Sequence, residues 1–195
     1  MRRLPAVTQD KMTPEQTDLF GKITSGPRSA NRSLEDFLDG DGGLRGPFNA
    51  LLYAPALGDI AQQMGEHLRF KGNLPGDIRE IAIMTVGQLW QADYEFWAHA
   101  KAGRREGIDD DTIETLRNGQ APADPKHAAV HAFVVELVNN RKVSDVTYKT
   151  ANDILGDAGT VELVLLAGYY CMISANLNAF QCPMPEGVEP PFGTV

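Results

Sequence analysis

Along most of the chain the apolar residues recur three and four positions apart, the period of an α-helix packed on one face. Thr13-Pro14-Glu15-Gln16 opens the first such segment with a capping threonine, a proline at the first helical position, and a glutamine placed to close a capping box. Gly26-Pro27 ends it. Positions 31–46, rich in Gly and Asp, predict a loop with one turn over 34–38. A short apolar segment, 48–53, is stopped by Pro55. Leu57, Ile60, Ala61, Met64 and Leu68 have the spacing of an amphipathic helix ending near Gly72, and this is the face expected to pack inward.

Residues 75–91 predict the next helix, with Ile78, Ile81, Ala82, Thr85 and Leu89 on its apolar face. A helix over 93–106 follows, where Gly107 and then Ile108 suit a left-handed cap with a trailing apolar contact. Three acids open a segment at 109–116, which ends at Asn118-Gly119. Segments 123–140, 144–155 and 160–180 complete the set. No alternating strand pattern longer than about four residues survives, so the fold class is all-α.

Composition narrows the function. With 195 residues, 43% of them hydrophobic, the chain can bury a full-sized core. The organisation expected is an arm and short helix over 1–45, with residues 1–10 loose, then a helical domain over 46–182. A proline-rich tail, 183–195, is expected to lie across a surface or a neighbouring subunit. A net charge of −8 repels phosphate backbones and anionic lipid, which argues against nucleic-acid and membrane partners. The longest apolar run, 164–173, is shorter than a bilayer span. The two N-terminal arginines lack the apolar segment of a secretory signal, and two cysteines make no disulfide framework. A cytoplasmic location is expected.

The chemistry concentrates between Glu80 and Gly107. Glu80 lies ten residues before Trp90, and His99 nine residues after it. A single straight helix would hold them roughly 28 Å apart, whereas a chain reversal at 90–93 would bring them level. Ala92, Glu95 and His99 share one face of the second helix, so that Glu95 can orient the imidazole and raise its pKa.

The run Arg79-Glu80-Ile81-Ala82-Ile83, then Ala92-Asp93-Tyr94-Glu95-Phe96-Trp97-Ala98-His99, then Ala102-Gly103 and Glu106-Gly107-Ile108, resembles the carboxymuconolactone decarboxylase and alkylhydroperoxidase D superfamily. Gly46-Pro47-Phe48-Asn49-Ala50-Leu51-Leu52 resembles the entry segment of its longer members; Val161-Glu162-Leu163 and Gly168-Tyr169-Tyr170 resemble their last core helix. The resemblance implies an alkylhydroperoxidase D-like all-α fold with a core helical hairpin, assembled as a dimer, trimer or hexamer. Peroxidase-type members carry Cys-x-x-Cys, with a His four residues after the second Cys and a Glu twelve before the first. Here Glu80 and His99 occupy the Glu and His positions, while Ala92 and Glu95 replace the cysteines. Without a thiolate there is no nucleophile for a peroxide and no resolving thiol. Cys171 and Cys182 do not restore one, being about 16 Å apart along a continuous helix.

What the resemblance then implies is the decarboxylase branch: cofactor-independent decarboxylation, or a related proton transfer, on a small carboxylated lactone or organic acid of aromatic catabolism. His99 is the candidate acid, with Glu95 or Glu80 setting its protonation state, and Glu80 is an acid candidate in its own right. Arg45, Arg69 or Arg79 can supply the cation for an anionic substrate; Arg45, Phe48, Asn49 and Arg79 are the substrate-binding candidates. Neither cofactor nor metal is expected. Two further readings stay open: a relative that keeps the proton relay without thiol chemistry and acts on another substrate, and a non-catalytic ligand-binding or assembly protein.

Other features have plainer readings. Trp90, Tyr94 and Trp97 suit core or subunit contact. His127 and His131 have zinc-ligand spacing with Asp124 on the same face, but Ala128 stands where a zincin's base would be. His67 is placed to meet its helix C-terminus. Residues 39–43 (DGDGG) lack the spaced ligands of a calcium loop and predict a flexible turn.

Overall fold

The computed structural model describes residues 2–30 and 32–193; Met1, Asn31, Thr194 and Val195, and with them the outer ends of the arm and tail, lie outside the described residues. In chain order the helices are α1 (Pro14–Ser25), α2 (Phe48–Leu51), α3 (Pro55–Phe70), α4 (Gly76–Leu89), α5 (Asp93–Arg105), α6 (Asp110–Arg117), α7 (Pro125–Asn140) and α8 (Asp145–Ala179). Short 3-10 turns lie at Gln9–Lys11, Pro27–Ser29 and Leu34–Phe37, the last where one turn was expected. Among the described residues the only extended pairing is a bridge between Leu38 and Leu44, so the all-α class holds. The chain divides into two units, Met1–Lys71 with Asn176–Val188, and Gly72–Ala175 with Glu189–Val195.

In the first unit the capping box forms as its sequence dictates: Gln16 N donates to Thr13 Oγ1 (3.3 Å) and Thr13 N to Gln16 Oε1 (3.0 Å). Leu19, Phe20 and Ile23 of α1 share a core with Phe37, Leu44 and Leu52. Helix α3 meets this core through Gly58, Gln62, Gly65 and Leu68. Of the apolar face expected to pack inward Leu68 is buried, but its first two turns point out, with Leu57 71% and Ile60 67% exposed. Two contacts turn the helix that way. A Cβ at Gly58 would lie 2.5 Å from the Leu51 carbonyl oxygen and 2.9 Å from Leu19 Cδ2, so this close approach admits only glycine. The buried Arg28 guanidinium also needs acceptors, and Gln62 supplies its side-chain oxygen at 3.0 Å and its carbonyl at 2.8 Å.

Two expectations about loops are corrected in the same unit. The arm is tied down: Val7 N donates to Asn49 Oδ1 (2.9 Å), while Pro5 O accepts from Asn49 Nδ2 (2.9 Å) and the Tyr53 hydroxyl (3.0 Å). The turn at 39–43 is held by Asp39 Oδ1, which accepts from Asp41 N and Gly43 N, and by Arg2, which pairs with Asp39 and Asp41.

Helix α4 is the centre of the second unit, buried on nearly every side and packed mainly on α5 and α7, with α6 beside it. The predicted reversal falls at residues 90–92, where Gln91 takes a left-handed conformation (φ 49°) and Ala92 N donates to Gly87 O (2.9 Å). At Gly87 the hairpin closes tightly: a Cβ there would lie 3.3 Å from Phe96 N and 3.4 Å from Phe96 Cα. Replacing Gly87 by Val is expected to cost about 1–3 kcal/mol by overpacking, read as a lower urea midpoint at unchanged slope. The end of α5 carries the predicted cap, with Gly107 at φ 89°, Ile108 buried, and Ile108 N donating to Gly103 O (3.0 Å).

The last two predicted helices follow one another in α8, separated as expected by a non-helical break, which falls at Gly156 (φ 68°, ψ 175°), a conformation that favours glycine. By length and composition α8 is apolar enough to cross a bilayer, but half of its most apolar window is buried inside the fold. It reads as a core helix. Part of the tail crosses the unit's own surface: Phe192 N donates to Asp93 Oδ1 (2.7 Å), and its ring meets Phe96 edge-on (5.2 Å).

Candidate active site

Because the hairpin closes, Glu80 and His99 come together although nineteen positions separate them. His99 Nδ1 donates to Glu80 Oε2 at 2.5 Å, and Arg79 Nε donates to the other oxygen, Oε1, at 3.2 Å. This fixes the imidazole and leaves Nε2 facing Glu95. Glu95 Oε1 is 3.2 Å from Nε2, within ion-pair reach, yet it accepts no hydrogen bond. All three groups are withdrawn from water, with Glu80 1%, Glu95 3% and His99 6% exposed. The Tyr170 ring of α8 meets the imidazole edge-on at 5.0 Å, and Tyr169 meets Tyr170 in the same way at 5.2 Å.

Burial is the largest single influence on His99 and would lower its pKa; the charges of Glu80 and Glu95, with the hydrogen bond to Glu80, together outweigh it and hold the pKa above the ordinary value. The two neighbouring acids therefore favour the protonated form of the His99 ring. The stability this contributes is present below the ordinary histidine value of about 6.5 and is lost as pH rises through the raised folded value.

Of the sequence-derived candidates, Glu80, Glu95, His99 and Arg79 converge. The other three are held inside the first unit by different work. Arg45 Nε donates to Leu38 O (2.6 Å), Phe48 lies under the Arg28 guanidinium (5.4 Å), and Asn49 has both ends of its amide committed to the arm. Asn49 thus spends a hydrogen bond at each end of its amide on holding the arm. Arg69 stacks on Phe70 (5.3 Å). Sequence reasoning missed Tyr170 as a neighbour of His99, although it quoted the residue; nothing local to α8 says which ring will face α5.

The two zinc-spaced histidines part company. His127 Nε2 meets Asp77 Oδ2 at 3.0 Å, while the buried His131 lies with Nδ1 3.1 Å from Thr85 Oγ1, whose hydroxyl donates to Ile81 O. His67 Nδ1 donates back to Gln63 O (2.9 Å), one turn upstream. Trp97 meets Tyr94 edge-on and carries Lys101 over its face. Burial lowers the His131 pKa, so it stays neutral in the fold. The sign is opposite to that of His99: below about pH 6.5 the unfolded chain takes up a proton that the folded one refuses, and stability falls. His131→Asn, which keeps a donor toward Thr85, is expected to lose less stability than wild type between pH 7 and 5.5 in urea titrations.

Solved structures with the same arrangement of helices are described as peroxidase-related proteins. One, from Ralstonia eutropha JMP134 and described as an alkylhydroperoxidase D core, is 13% identical with a TM-score of 0.74, over 95% of this chain and 93% of that one. Another, from Silicibacter sp. TM1040, is 15% identical with a TM-score of 0.72, over 95% and 92%. No curated protein is significantly similar to the chain. The shared fold defines the class: an all-α, alkylhydroperoxidase D-like protein. Residues 55–135 match the carboxymuconolactone decarboxylase family, and the helices follow the arrangement of the alkylhydroperoxidase D-like structures.

Proposed function

We propose that the protein is a cytoplasmic, cofactor-independent enzyme of the decarboxylase kind, acting by proton transfer on a small carboxylated lactone or organic acid. The observation that carries this reading is the buried His99 ring, locked by Glu80 on one nitrogen and facing, on the other, a Glu95 oxygen without a hydrogen bond. With Ala92 and Glu95 at the thiol positions, the site has acid and base groups but no nucleophilic sulfur.

Arg79 holds the substrate's carboxylate by charge. When the C–CO2 bond breaks, its electron pair moves into a conjugated carbonyl and CO2 leaves uncharged. The enolate that remains takes the Nε2 proton of His99 at carbon, and solvent later restores that proton. Glu80 holds the ring's orientation throughout. Removing the developing carbanion's surroundings from water favours the step, because fixed charges act more strongly where solvent is excluded.

The test is a screen of carboxylated lactones and keto acids for CO2 release. Release from any of them supports the reading. If none releases CO2 but a keto acid exchanges its α-proton for deuterium, the proton-transfer form holds; if neither occurs, the scaffold is a binding protein.

The protein is also proposed to self-associate. On α8 the positions Ala158, Val161, Leu165, Gly168, Met172 and Ala175 follow a three-four spacing, with Val161 60% and Leu165 50% exposed. An uncharged stripe of that length suits a second copy of the same helix. Leu165→Glu is expected to reduce the assembled mass by light scattering while leaving the helical signal intact; an unchanged mass would place the contact elsewhere.

A further inference from the structure

Arg79 does more than steady Glu80. Its Nη2 donates to Glu106 Oε1 at 3.2 Å, so one guanidinium joins the buried Glu80–His99 pair to an acid at the exposed C-terminal end of α5. This outer link is long for a charge-assisted bond and uses a single contact. The Glu106 side chain is 41% exposed, and pairs with a solvated partner contribute little. By contrast the inner link, to Glu80, is almost wholly buried. No hydrogen bond of Nη1 is found among the described residues, so the outer edge of the guanidinium is half used. The Glu106 carboxylate lies over Gly76, where a Cβ would come 2.0 Å from Glu106 Oε2, a contact the flexible side chain can relieve by swinging away. A carboxylate therefore already lies against the outer edge of Arg79, held by one contact at the end of a movable side chain.

We infer that Glu106 is an internal stand-in for the carboxylate of a small organic acid, which binds by displacing it from Arg79. An incoming carboxylate can take Nη1 and Nη2 together, a two-point pairing that Glu106 does not make. Glu106 is thus a specificity-determining residue: it sets the affinity threshold that an anion must exceed, and it returns to cover Arg79 when the anion leaves. The inference rests on the proposed reading for the identity of the ligand, but not for its detection.

Binding of benzoate, used as a plain monocarboxylate probe, is to be measured by calorimetry at low salt, with the Arg79 Nε–H resonance followed by NMR. Glu106→Gln is expected to tighten binding about two- to five-fold by removing the competitor. Glu106→Asp keeps the charge but shortens the reach, and is expected to tighten binding similarly. Arg79→Gln should weaken it about ten-fold or more, in either background. Tightening in Glu106→Gln alone would mean a change of net charge only and would overturn the inference. So would unchanged affinity in both Glu106 variants, or benzoate that leaves the Arg79 resonance unmoved. Because no turnover is needed, a failed CO2 screen and a failed exchange are separate results.

Discussion

Replacing His99 by Gln is expected to lower the turnover of whichever acid the screen identifies by about 10²–10⁴-fold, the usual contribution of a positioned acid or base. The amide fills much of the ring's space and can still donate to Glu80, but it has no proton to give at carbon. KM should change far less than kcat, because the substrate's charge is met by Arg79. A pH profile adds a second readout. In the proposed mechanism the rate depends on the imidazolium, whose pKa Glu80 and Glu95 raise against burial, so it should stay level past the ordinary histidine range and fall as pH rises through the raised value. In Glu95→Gln the charge support is halved, and the fall should begin at lower pH. A His99→Gln variant with wild-type turnover would remove the imidazole from the mechanism.

The largest effect on stability is expected at Glu80. Glu80→Ala leaves the His99 ring without its acceptor and Arg79 without its buried partner, deep inside α4. Removing one side of a buried pair typically costs about 3–5 kcal/mol, more than the pair as a whole contributes. Urea unfolding at neutral pH should show this as a large drop in midpoint. Glu80→Gln keeps the shape and one acceptor oxygen and should cost less. If the two variants unfold alike and close to wild type, the pair is not the structural hinge of the hairpin.

Much of this was readable in the residues because it is local. The capping box at Thr13, the glycine cap at Gly107 and the reversal after Leu89 each follow from side chains within a few positions of one another. The meeting of Glu80 with His99 followed from that reversal and from counting along two helices. What could not be read was direction. The hydrophobic pattern of α3 is genuine, yet the core receives Gly58, Gln62 and Gly65, because the distance to α1 and the needs of Arg28 outweigh the burial of Leu57 and Ile60. Asn49 looked like a binding residue for the same reason: its partners, Pro5 and Val7, lie more than forty positions away. Tyr170 became a neighbour of His99 only through the placement of α8.

The tip at Gln91 has a consequence for the history of the chain. Connecting segments normally drift in length, but one residue gained or lost between Leu89 and Asp93 would rotate α5 by about 100°. The imidazole would then leave its carboxylate and another side chain would take its place. The length of this corner is thereby tied to the Glu80–His99 contact: a chain that keeps the one must keep the other.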